Sequence, residues 1–383
     1  MQRRKFLKIS STAALSPAVS LTASAQEKKL PGIKSTVNLT GDGLDLSPAA
    51  YSQLLQQLTA NDKLVADNYS LGGCVEDLEK KFAALLGKEA AVYMPTGTLA
   101  NQLAIRNLAG ANNRVLVQEE SHVYNDTGDA CQVLSNLNLI PLGTGKVSFT
   151  LEEVDAIVKK TSTGRVATKV GALSIESPVR RKSGEVFDFS EMKKICAYAK
   201  ANDIKTHLDG ARVFLAAPYT GVSVKDYASL FDTVYISLYK YFNAACGAVL
   251  AGNKKFIEPL YHERRMFGSG LHQSWAFAAV ANHYADGFED RYAKAVKISE
   301  EFISRIKNNN HFQVQRVDKG TNIFRIKING MTASAFVESL KTNGIIARVD
   351  ATKTDTLICQ VNESLLSATA VELENIFIKS LSR

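Results

Sequence analysis

The sequence predicts an α/β fold: a large domain built on a mostly parallel sheet covered by helices, followed by a small α+β C-terminal domain. Three observations predict it. The chain has 383 residues, beyond the roughly 250–300 at which a single core stops growing. Its composition, 45% hydrophobic and 22% charged, is that of an ordinary globular protein and excludes disordered, collagen-like and disulfide-scaffold classes. Short apolar runs also alternate with helical periodicity, which implies crossover connections between parallel strands.

Element by element, residues 1–25 read as an address rather than as fold. Arg3-Arg4-Lys5-Phe6-Leu7-Lys8 is a twin-arginine run, and Ala23-Ser24-Ala25 ends the weakly apolar stretch with a small-residue cleavage site. The apolar part, Ile9 to Leu21, is too short and polar to remain as a spanning helix. The expectation is export by the twin-arginine route to the periplasm, with no membrane association after cleavage. The formal charge of +8 falls to +4 once Arg3, Arg4, Lys5 and Lys8 leave. That balance argues against nucleic acid as a partner, and Arg180-Arg181-Lys182 and Arg264-Arg265 read as solvated surface.

A polar N-terminal segment, 26–60, leads into the large domain, 61–285. There Val75 to Leu86 is an amphipathic helix stopped by Gly87, Ala90 to Met94 a short strand, and Thr98 to Leu108 a second helix. Further strands are expected at Val115–Gln118, Val170–Ile175, Ile204–Leu208, Thr233–Leu238 and Ala248–Ala251, with helices at Leu151–Lys160 and Phe189–Asn202. The small domain, 286–383, opens with a long helix through Arg291–Ile306. Strands at Phe312–Val317 and Ile323–Ile328, a helix at Ala333–Thr342, strands near Ile345–Val349 and Leu357–Val361, and a final helix follow. The five cysteines, at 74, 131, 196, 246 and 359, have neither even number nor close spacing, so no disulfide framework or zinc ribbon is expected.

Ligands of open parallel sheets sit beyond the carboxyl ends of the strands, and three strand ends carry suitable residues. After Met94, Pro95-Thr96-Gly97-Thr98 opens a helix whose amides and dipole suit an anion, although plain N-capping by Thr96 or Thr98 reads the same motif. After Leu208, Asp209 can keep a pyridine-type nitrogen protonated. His207 lies on the same strand face and raises the idea of a metal pair, against which stands the lack of a third ligand at sensible spacing. After Leu238, Lys240 follows a buried strand among apolar neighbours, where a lowered amine pKa favours imine formation. An arbitrary lysine in that place reads as a surface residue capping a strand.

Three segments together settle that choice: Glu89 to Asn101 (EAAVYMPTGTLAN), Leu208 to Arg212 (LDGAR), and Ser237 to Gly252, with Ser-Leu-Tyr-Lys followed by Gly-Ala-Val-Leu-Ala-Gly. In order and separation they resemble the threonine aldolase/β-eliminating lyase family, from about Leu64 to Asn282. The resemblance implies the aspartate-aminotransferase-like fold (fold type I, the PLP-dependent transferase fold) and pyridoxal 5'-phosphate as cofactor. It matches Lys240 to the lysine that holds the cofactor as a Schiff base and Asp209 to the acid at the pyridine nitrogen. Arg212 matches the arginine beside the 3-hydroxyl and substrate carboxylate, and Gly97 and Thr98 match phosphate binders, with Ser237 a further one. His122 matches the histidine that stacks on the ring and serves in proton transfer. The family implies a homodimer or homotetramer and an amino-acid substrate.

Departures from the family's pattern concern the substrate. The usual Arg-Ser-Asp-Thr opening corresponds to Thr40-Gly41-Asp42-Gly43, and the small-domain arginine to Lys353-Thr354-Asp355-Thr356, with Arg348 or Lys353 as substitutes. Glu176-Ser177-Pro178-Val179 lacks the second active-site histidine, and Tyr239 and Tyr241 flank the lysine where small residues are usual. The expected activity is a lyase that cleaves the Cα–Cβ bond of a β-hydroxy-α-amino acid to glycine and an aldehyde. Alternatives are β-elimination or racemisation of another amino acid and, in a different class, a catalytically inactive binding protein on the same fold.

Overall fold

A computed structural model describes residues 36–381, so the twin-arginine run and its cleavage site lie outside the described residues. The chain enters through β1 (Val37–Asn38), which pairs in parallel with Ile345–Ile346 far along the sequence. Seven strands then build one sheet: β2 (Ala90–Met94), β3 (Arg114–Gln118), β4 (Asn138–Leu142), β5 (Val170–Glu176), β6 (Lys205–Asp209), β7 (Thr233–Ser237) and β8 (Ala248–Gly252). Their order is β2-β8-β7-β6-β5-β3-β4, and β8 alone runs antiparallel to its neighbours. The central strands β5 and β7 are buried along their whole length, because helices cover both faces of a parallel sheet and leave no side for polar alternation.

That topology puts the carboxyl ends of β2, β3, β5, β6 and β7 on one edge. Met94, Gln118, Glu176, Asp209 and Ser237 end those strands, so the loops after them converge. The C-terminal part adds an antiparallel sheet of β9 (Phe312–Arg316), β10 (Ile323–Ile328), β12 (Arg348–Asp350) and β13 (Lys353–Gln360), with β11 (Ile345–Ile346) serving β1. Its long helix, Phe288–Ile306, buries Tyr292, Ala295, Val296, Ser299, Phe302, Ile303 and Ile306, the i, i+3, i+4, i+7 stripe of a helix packed on one side. Full burial of each large apolar residue there contributes about 1.5–3 kcal/mol.

Most expected elements appear within one or two residues. The exceptions have physical reasons. The strand expected near Ile345–Val349 is split, since Ile345–Ile346 turns to pair with β1 while Arg348–Asp350 pairs with β13 across a register shift. The edge strand Asn138–Leu142 went unread because it is short and holds Pro141, which an edge tolerates. Arg264, read as surface, is 1% exposed and donates to the carbonyls of Tyr93 and Ser70; a guanidinium can be buried when backbone acceptors satisfy its fork.

Candidate active site

At the converging strand ends lies a cavity of about 1160 Å³. Among the residues on its wall are Gly97, Thr98, His122, Asp209, Arg212 and Lys240, six of the seven residues singled out in the sequence. Ser237 is the exception: it is fully buried at the end of β7, its hydroxyl has no hydrogen-bond partner, and it is not on the cavity wall.

The helix Gly97–Ala109 starts at the cavity because Thr96 caps it, the hydroxyl accepting from the Leu99 amide at 3.2 Å. Its buried stripe, Ala100, Leu103, Ala104 and Leu108, packs on the sheet and aims the free amides of the first turn at the cavity. Gly97 is required by contact rather than conformation, since a Cβ there would lie 2.0 Å from the Tyr235 hydroxyl.

Asp209 is held from behind by a buried chain of hydrogen bonds. Its Oδ2 accepts from Asn101 Nδ2 at 2.6 Å and its Oδ1 from the Ala211 amide at 3.1 Å. Asn101 Oδ1 lies 2.9 Å from His207 Nε2, and His207 Nδ1 lies 2.8 Å from the Thr233 hydroxyl. A carboxylate only accepts, so the asparagine amide must donate to Asp209 and offer its oxygen to His207. That makes Nε2 the protonated nitrogen and Nδ1 an acceptor from Thr233. Burial pushes His207 down to about 4 against the opposing pull of Asp209, so the ring is neutral at pH 7. The residue that suggested a metal pair thus orients the acid.

Lys240 follows β7 by three residues and is placed by an apolar anchor. Tyr241 and Phe242 point away from the cavity into an aromatic cluster with Phe214 and Phe288, at ring separations of 4.6–6.2 Å. Tyr239 stays on the wall, half exposed. On the opposite side the segment 40–46 presses on the lysine backbone: a Cβ on Gly43 would lie 2.2 Å from the Lys240 carbonyl oxygen. Burial first, then the positive charge of Arg212, lowers the Lys240 amine to about 8.

Arg212 donates from Nε to Asp42 Oδ2 at 2.8 Å. The other oxygen of Asp42 accepts from Asn322 at 3.0 Å and Gln360 at 3.2 Å, both from the C-terminal sheet region. Thr40 reaches the wall, but its hydroxyl donates to Asn38 at 2.6 Å. Of the substitutes for a small-domain arginine, Arg348 is exposed on β12 and Lys353 borders a separate cleft with Lys327 and Asp355.

Sequence reading gave no site role to Asn101 or Glu176, and Arg180, read as solvated surface, lies on the cavity wall. Glu176 ends β5 directly opposite Asp209 on β6, and one carboxylate takes the His122 amide at 2.6 Å and the Arg180 amide at 2.8 Å. Burial and the neighbouring Asp209 raise it to about 7. Both acids end neighbouring buried strands, a pairing that only the strand register reveals. His122 itself lines the cavity with its Nδ1 buried and unpartnered.

The profile described as β-eliminating lyase matches residues 47–329. The low-specificity L-threonine aldolase of Candida albicans is 32% identical over 55% of this chain and 56% of its own length. An alanine racemase of Cochliobolus carbonum is 30% identical over 53% of this chain and 52% of its own. The chain thus spans about half the length of these curated relatives. A crystal structure from Listeria monocytogenes, provisionally named L-allo-threonine aldolase, superposes with TM-score 0.73 at 26% identity, covering 91% of this chain and 96% of that one.

Proposed function

The chain belongs to the β-eliminating lyase family, an enzyme class of pyridoxal-phosphate-dependent lyases, and from that premise we propose that it cleaves the Cα–Cβ bond of a β-hydroxy-α-amino acid, releasing glycine and an aldehyde. The observation that carries this reading is the joint placement of Lys240, Asp209 and the Gly97 helix start on one cavity wall.

The residues present fit pyridoxal phosphate. The helix start at Thr96, Gly97 and Thr98, on the cavity wall, offers first-turn amides that suit a phosphate. Asp209, oriented by Asn101, would hold the ring nitrogen, and the Lys240 amine would bind the carbonyl carbon. When bound, the cofactor supplies a carbonyl that condenses with amines and a protonated ring that accepts the electron pair left at Cα.

The protein's own groups divide the rest of the work. Lys240, lowered to about 8, presents a neutral amine at mildly alkaline pH, which makes it a competent nucleophile and proton carrier. Asp209, held by Asn101 and the Ala211 amide, would keep a proton on the group it faces. His122, which lines the cavity, is the group placed to take the proton of the substrate's β-hydroxyl. Arg212, locked on Asp42 through Nε, keeps its two terminal nitrogens for an anion.

The test is a product screen on cofactor-loaded protein. Glycine and acetaldehyde from threonine support the proposal. Pyruvate and ammonia from serine or cysteine would replace it with β-elimination, and a protein that takes up no cofactor would leave only a binding role. The alanine racemase relative favours one further reading, racemisation, which would appear as exchange of the Cα proton with inversion and no aldehyde.

We also propose export through the twin-arginine signal, supported by Arg3-Arg4 and Ala23-Ser24-Ala25; replacing both arginines by lysine should retain the protein in the cytoplasm. A homodimer or homotetramer is proposed from the family, to be read by light scattering.

A further inference from the structure

The cavity wall carries four carboxylates, Asp42, Asp45, Glu176 and Asp209, yet an amino-acid substrate brings a fifth. Some cation has to receive it. Arg212 already faces Asp42 at 2.8 Å in a pair that is largely buried, so much of its charge is compensated. Lys240 is committed to the reaction, and Arg348 and Lys353 lie elsewhere.

Arg180 is different. It lies on the cavity wall, its side chain is 53% exposed, and among the described residues its guanidinium makes no hydrogen bond. The nearest acid, Asp126, is 3.8 Å away and is already bonded by Arg181 at 3.2 Å. Its backbone is nevertheless fixed. The Arg180 amide donates to Glu176 Oε1 at 2.8 Å, and the second oxygen of that carboxylate holds the His122 amide. One acid at the end of β5, opposite Asp209, therefore sets the origin of both the arginine and the histidine relative to the reacting centre.

We infer that Arg180 is the carboxylate-binding residue of the amino-acid substrate, an anion contact that this chain makes from the loop after β5. The inference rests on the amino-acid reading proposed above. A guanidinium with an unused fork matches a carboxylate in two parallel hydrogen bonds. Arg212 approaches the same anion with its terminal nitrogens, so the carboxylate sits between two arginines, of which Arg180 has only the long 3.8 Å ion pair with Asp126 to give up while Arg212 is held at 2.8 Å by Asp42.

The experiment titrates cofactor-loaded protein with glycine and with glycinamide, reading the visible absorbance of the cofactor, so that binding is scored without turnover. Arg180→Met should weaken glycine by about 10- to 100-fold, the loss of a charge-assisted contact of about 1.5–3 kcal/mol, and leave glycinamide within about twofold. Arg180→Lys should recover part of the loss. Arg181→Met, which removes a neighbouring charge off the cavity wall, should keep the wild-type preference for glycine. An unchanged preference in Arg180→Met, or equal weakening of both ligands, overturns the inference. Wild-type protein that holds the cofactor but responds to neither ligand overturns the amino-acid reading itself and this inference with it.

Discussion

The two ends of the cavity are built differently. Behind Asp209 every polar atom is matched: Thr233, His207, Asn101 and Asp209 form one buried chain without a slack member. At the other end, Tyr239 is half exposed, the Arg180 guanidinium has only a 3.8 Å ion pair with Asp126, and His122 has a buried ring nitrogen without a partner. Preorganised groups stabilise charge best where nothing has to move, whereas recognition needs groups still free to bond. The difference assigns fixed chemistry to the first end and adjustable selectivity to the second.

The comparison breaks most sharply at Lys240. Lys240→Ala should lower turnover by about 10³-fold or more, as removal of a covalent participant does, and abolish the visible band of the bound cofactor. The cluster of Phe214, Tyr241, Phe242 and Phe288 is untouched, so thermal unfolding should shift little. A persistent band would put the cofactor's attachment elsewhere.

Next in size is Asn101→Ala. It strips a donor from Asp209 and an acceptor from His207 in a buried site, and each stranded group costs about 1–3 kcal/mol. The expected result is a 10- to 100-fold fall in kcat with KM nearly constant, together with a lower unfolding temperature. A rise in KM alone would mean that the chain serves substrate binding and that the two ends are not distinct.

A smaller effect separates stability from catalysis. His207 is held at about 4, below the ordinary 6.5, because burial disfavours its charge. The unfolded chain therefore takes up the proton first, and the stabilisation, full above about pH 6.5, is lost as pH falls toward 4. Glu176 works in the opposite sense: raised to about 7, it favours the fold at low pH and loses that contribution as pH rises through 7. The difference between wild type and His207→Gln isolates the histidine. The variant's unfolding temperature should decline less steeply between pH 6.5 and 4.5, and parallel curves would disprove the neutral assignment.

The same division explains what could be read from sequence. The strands Ala90–Met94 and Ile323–Ile328 were legible to the residue, because apolar runs bounded by turns leave one solution. Gly97, Asp209 and Lys240 were legible because each follows or ends such a run. Asn101, His207, Glu176 and Arg180 were not, because their roles depend on register between strands distant in sequence: Asn101 meets Asp209 across 108 positions and Asp42 meets Arg212 across 170. Asn101 stood inside a recognised motif and still read as one more helix residue. Arg180 read as solvated surface because no local pattern shows that the end of β5 faces a cavity.

The smallest expected effect tests the adjustable end. Tyr239 is 51% exposed on the cavity wall, with Lys240 Nζ 5.6 Å from its ring centroid. A cation over a ring at an exposed site contributes only about 0.5–1 kcal/mol, so the ring acts mainly through its bulk. Tyr239→Ala should leave the cofactor spectrum and its affinity unchanged within about twofold. On the proposed lyase reading it should also widen the range of aldehydes accepted in the reverse, carbon-bond-forming direction, shifting relative kcat/KM for bulky over small ones by about three- to tenfold, the size of a modest change in pocket contact. A cofactor affinity that fell several-fold would place Tyr239 with the fixed end and move the boundary between the two regions past Lys240. An unchanged aldehyde preference would mean that the ring, despite its place on the wall, leans away from the substrate.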